Sequence, residues 1–139
     1  MRVVVDTGVW VASTRCRRGA SFALLSEISH NRFQFGISVP LYYEYQEQLH
    51  EAVASEMQVD SILSALAFYG VEVPIYLRDE SDHMVFECAA NFGASNIITN
   101  DVRGFPKPEL EGYETDDPHA FAEALAAVPD APLPEGDKI

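Results

Sequence analysis

Four acids stand where an apolar segment gives way to a polar one. Asp6 directly follows Val3-Val4-Val5, and Glu44 lies in the first turn of a helical pattern starting at Pro40. Asp82 opens another helical pattern, and Asp101 follows Ile97-Ile98 after the short Thr99-Asn100 turn. A carboxylate against buried valines is costly unless it has a partner or a task. Hard divalent cations take oxygen ligands, and Mg²⁺ in particular is held by one or two carboxylates together with water and substrate phosphate. Acids gathered at one edge of a sheet would therefore suit a divalent cation that activates water and stabilises the leaving oxygen of a phosphodiester.

The elements that must position these acids alternate between strand and helix. Residues 2–6 read as a short strand buried on both faces, and 20–29 carry Phe22, Leu24, Leu25 and Ile28 at helical spacing. Residues 33–39 alternate as a strand, after which Ser38 and Pro40 signal a helix start with Leu41, Tyr45, Leu49 and Val53 on one stripe. Residues 58–69 form a further helix ended by Gly70, and 71–73 a brief strand before Pro74. Asp82 suits the N-cap of a helix carrying Met84, Val85, Cys88, Ala89 and Phe92, with Gly93 at its end. Residues 96–99 read as a strand, 102–108 as a loop, and Asp117-Pro118 opens a last helix with Phe121, Leu125 and Val128. This alternation predicts an α/β fold, a three-layer α/β/α sandwich around a central parallel sheet. In such sheets ligands bind at the carboxyl ends of the strands, where Asp6 and Asp101 fall.

The 139 residues are one domain's worth of chain, read as a domain over 1–128 followed by a flexible Pro-rich tail over 129–139. No stretch approaches the roughly 20 apolar residues of a membrane helix, and the N-terminal apolar segment is too short for a signal peptide, so a cytoplasmic location is expected. Cys16 among arginines and Cys88 in an apolar pattern give no disulfide framework. Against 9 Lys plus Arg stand 22 Asp plus Glu, a formal charge of -13. Sequence-independent binding to phosphate by charge alone is thereby disfavoured. An anionic substrate would need local help from a bound cation or from Arg15, Arg17 and Arg18. The acids Glu111, Glu114, Asp116 and Asp117 read as solvated surface rather than site.

Each acid also has a plainer reading. Asp82 suits a simple N-cap, with Asp79 and Glu80 as neighbouring alternatives; Glu44 suits a solvated helix face, and Asp101 a turn. The four histidines lack metal-ligand spacing. Tyr42, Tyr43 and Tyr45 offer rings for base stacking, though at helical spacing core packing competes. No phosphate-cradling Gly-x-x-x-x-Gly-Lys loop and no Gly-x-Ser-x-Gly elbow occurs.

The segments VVVDTGVWVAS, SVPLYYEYQEQL and ESDHMVFECAANFGASNIITND, in that order, resemble the PIN-domain ribonucleases, above all the small prokaryotic toxins of toxin-antitoxin pairs. The resemblance runs from about Arg2 to Phe105. It implies that Asp6, Glu44, Asp82 and Asp101 ligate Mg²⁺ or Mn²⁺, that Thr99 is the hydroxyl beside the site, and that Thr7 supports it. It further implies RNA hydrolysis by a homodimer restrained by a cognate antitoxin protein. One position departs from the pattern: Gly8 stands where the family usually carries Asn or Ser. That departure and the strong acidity are what favour the competing reading, a PIN-fold binding module with weak or no catalysis. An aspartyl phosphatase reading fails at the same place, since Gly8 replaces the second acid of its Asp-x-Asp.

Overall fold

A computed structural model describes residues 1–52, 54–75, 84–101 and 114–127. The chain begins with strand β1 (Arg2–Val5), helix α1 (Thr7–Ser13), and helix α2 (Ala20–Glu27), the last running into a 3₁₀ turn (Ile28–His30). Strand β2 (Gln34–Ile37) leads into α3 (Val39–Glu51), α4 (Glu56–Tyr69) and strand β3 (Val71–Glu72). Helix α5 (Met84–Phe92), strand β4 (Asn96–Ile98), strand β5 (Glu114–Asp116) and α6 (Pro118–Ala126) complete the described chain. The predicted α/β architecture with a parallel sheet is the one observed.

The five strands are all parallel, in the order β3-β2-β1-β4-β5. The chain moves outward from β1 through β2 to β3, then returns to place β4 on the other side of β1. Because such crossovers are right-handed, the outward helices and the returning helix α5 cover opposite faces of the sheet. That is why Val3, Val4 and Val5 are all buried despite pointing alternately up and down. The reversal puts a topological switch point between β1 and β4, where open α/β sheets bind ligands.

Local signals explain the helix limits. Ser38 caps α3 by accepting from the Leu41 amide at 3.3 Å, Ser55 caps α4 by accepting from the Gln58 amide at 3.1 Å, and Asp117 caps α6 by accepting from Ala120 at 2.7 Å. Gly93 follows α5 with φ +70°, a conformation costly for other residues. Leu41, Tyr45 and Leu49 are all buried, as the stripe predicts; Val53 lies outside the described residues.

One expectation needs correction. Helix α3 begins at Val39, so Glu44 sits in its second turn rather than its first. A helix α1 follows Asp6 at once, where the run Val9-Trp10-Val11 carries no polar face to betray it. The acid-rich segment read as surface contains strand β5: Glu114 and Asp117 are exposed, and Asp116 accepts from the Asn96 amide side chain at 2.7 Å. The loop predicted over 102–108, Val128 and the tail 129–139 lie outside the described residues.

Gly36 of β2 is closely packed on its side-chain face. A Cβ there would meet the Phe92 ring at 2.7 Å and Val73 Cγ2 at 2.8 Å. Gly36→Ala is expected to destabilise the fold by about 1–3 kcal/mol through overpacking. Urea unfolding of the variant against the parent checks it.

Candidate active site

The register of β1 on β4 builds the centre of the site. Val5 lies opposite Ile98, and the Asp6 amide donates to the Ile98 carbonyl at 2.8 Å. Asp6 and Thr99, each the next residue along, therefore emerge side by side at the switch point. The Thr99 hydroxyl donates to Asp6 Oδ2 at 2.9 Å and accepts from the Asp101 amide at 3.0 Å. One buried hydroxyl thus ties the acid after β1 to the turn carrying the acid after β4.

Asp6 occupies the N-cap of α1, yet its side chain makes no capping bond. Aspartate is among the preferred capping residues, and the cap is worth about 1 kcal/mol. Its carboxylate instead turns to Thr99 and stays partly open. A group withheld from its ordinary structural use is available for something else.

Glu44 is held from the same strand end. The buried Thr7 hydroxyl, one residue after Asp6, donates to Glu44 Oε2 at 2.9 Å. The next residue on α3, Tyr45, is fully buried and donates its hydroxyl to the carbonyl of Val5. Thr7 and Tyr45 therefore fasten α3 to both sides of Asp6. Burial raises the pKa of the Tyr45 hydroxyl well above its ordinary value, so it remains a donor at any assay pH near neutrality. Beneath it, Trp10 meets the ring edge-on at 6.4 Å, and the buried Cys88 thiol is pushed up to about 11 by burial.

The structure thus brings Asp6, Thr99 and Asp101 into one hydrogen-bonded chain and joins Thr7 to Glu44. Asp82, with Asp79, Glu80 and His83, lies outside the described residues. Among the described residues no three His, Cys, Asp or Glu side chains are close enough together to hold a metal ion. The oxygen donors that are placed, Asp6, Glu44 and Asp101, are of the chemical kind a hard cation requires. Glu87 on α5 is a residue that periodicity passes over. It is only 9% exposed, and its Oε2 has no hydrogen-bond partner. A buried acid inside an apolar helix pattern is the signal that marks it. Gly8 faces open space, with nothing within 4 Å of where a Cβ would stand, so the site has room there for the polar side chain it lacks.

A PIN-domain sequence profile matches residues 2–103, which include Asp6, Glu44, Asp82 and Asp101. The chain belongs to the PIN-domain family. A comparison with curated proteins returned no match. The PIN domain is a nuclease fold that generally works with divalent metal ions, and the switch point of this PIN domain is where the hydrogen-bonded acids lie. Among the described residues no helix is long and apolar enough to cross a membrane.

Two substitutions separate positioning from packing. Thr99→Val keeps the shape but removes the donor to Asp6 and the acceptor for Asp101; Mn²⁺ affinity measured by calorimetry is expected to fall about tenfold or more. Tyr45→Phe removes a hydroxyl whose raised pKa adds stability below its ordinary value of 10.0, stability lost as pH rises through the folded-state value. The parent's melting temperature should consequently fall more steeply above pH 10 than that of Tyr45→Phe, as thermal scans across alkaline buffers would report.

Proposed function

We propose that this PIN domain is a metal-dependent endoribonuclease, the toxin of a toxin-antitoxin pair. The observation that carries the reading is the Asp6 carboxylate, released from capping α1 and tied through Thr99 to the Asp101 turn at the sheet's switch point. Asp6, Glu44 and Asp101, with Asp82 as the fourth acid the family resemblance supplies, would hold Mg²⁺ or Mn²⁺. Such a cation, when bound, supplies an activated water and neutralises charge on the phosphodiester.

The chain's own residues do the positioning. Thr99 orients Asp6, Thr7 orients Glu44, and the Asp6 amide locks the end of β1 to β4. The formal charge of -13 makes a cation at the site the natural means of admitting a phosphate. The proposed partners are RNA as substrate, a cognate antitoxin protein, and a second copy of the chain in a homodimer.

Purified protein is expected to cleave single-stranded RNA with Mn²⁺ and to lose activity in EDTA. Asp6→Asn and Asp101→Asn should each reduce cleavage by about a hundredfold or more, the scale of removing a cation's charge stabilisation, and both should relieve toxicity on expression. A parent protein that neither binds Mn²⁺ nor cuts RNA overturns the nuclease. A neighbouring reading frame for a small DNA-binding protein would support the toxin assignment.

A further inference from the structure

The three tyrosines of α3 meet three different fates. Tyr45 is fully buried and Tyr42 packs against the core, whereas Tyr43 is 63% exposed, immediately beside Glu44. Tyr43 lines a hollow of about 300 Å³ together with Pro40, Glu44, Glu47, Gln48 and Met84. Its walls thus combine an aromatic ring, a proline and a thioether with one carboxamide and two carboxylates. One of those carboxylates is an acid of the proposed active site.

The charge of the protein decides what such a hollow can take. Nucleic-acid affinity ordinarily comes from Lys and Arg on phosphates, and this chain has only 9 such residues against 22 acids. Glu44 and Glu47 turn a phosphate away from the hollow itself. An uncharged aromatic base has no such penalty: it can stack on Tyr43, a contact that is tolerant of sequence. The Glu47 carboxylate only accepts hydrogen bonds, so it favours a base carrying an exocyclic amine over one presenting a carbonyl there.

We propose that the hollow beside Glu44 is a nucleobase subsite, in which a base of single-stranded RNA stacks on Tyr43 and turns an exocyclic amine toward Glu47. The inference rests on the nuclease reading of the same site and adds to it the source of affinity and a base preference. Cytosine and uracil make the sharpest comparison, because they share a ring size and differ in an amine or a carbonyl at one position.

The test is fluorescence anisotropy of the intact protein with labelled 12-mer oligocytidylate and oligouridylate, in EDTA so that nothing is cleaved. Oligocytidylate should bind tighter than oligouridylate. Tyr43→Ala should weaken oligocytidylate binding about tenfold, Tyr43→Trp should retain it, and the exposed position should leave the melting temperature unchanged. Because stacking on Tyr43 neutralises no phosphate, Tyr43→Ala should leave the slope of log affinity against log salt unchanged. The subsite is overturned if Tyr43→Ala binds as the parent does, if uridylate binds as well as cytidylate, or if Tyr43→Ala changes the salt slope. It is also overturned if the substitution changes the sedimentation mass, which would assign the ring to a protein interface. Parent protein that cuts RNA while giving any of these results refutes the subsite alone; parent protein that neither cuts nor binds refutes the nuclease reading with it.

Discussion

The parallel pairing of β1 with β4, with Val5 opposite Ile98, is the constraint on which the rest of the site depends. It sets two chain segments, more than ninety residues apart in sequence, in register to within one residue. A slip by one position would turn Asp6 or Thr99 to the opposite face of the sheet. The register is secured by burial on both faces, since Val3, Val4, Val5, Ile97 and Ile98 are all fully enclosed. Apolar packing thus fixes the place of a polar bond that it does not itself touch.

Helix α3 extends that control sideways. Its consecutive residues Tyr43, Glu44 and Tyr45 point to solvent, to the Thr7 hydroxyl and to the Val5 carbonyl. A helix advances about 100° per residue, so three neighbours necessarily face three ways. With Leu41, Tyr45 and Leu49 committed to the core, the angle at which Glu44 emerges is no longer adjustable. The acid's position is therefore a by-product of core packing.

Much of this was legible in the sequence. The buried strand before Asp6, the Ser38 cap with its stripe, and Gly93 after α5 all announced themselves through periodicity or stereochemistry. What stayed hidden had physical causes. Helix α1 is only seven residues long and lacks a polar stripe, so its apolar run cannot be told from a strand. Strand β5 is written in Glu, Thr and Asp, because a sheet's edge need not be apolar. The Thr99 bond to Asp6 depends on inter-strand register, which composition does not encode, and the buried Glu87 breaks the pattern that locates α5.

Among the described residues, the two margins of the sheet bear on how the molecule meets others. At one margin β3 offers only two residues, and at the other β5 ends its three-residue length on acids at Glu114 and Asp116. Exposed margins attract foreign strands when they are long, flat and apolar, and are blunted by brevity and charge. A second chain would gain few backbone hydrogen bonds at the first margin and would meet like charge at the second. Growth of the sheet from molecule to molecule is thereby discouraged, and contacts made through helix faces are left as the easier route to association.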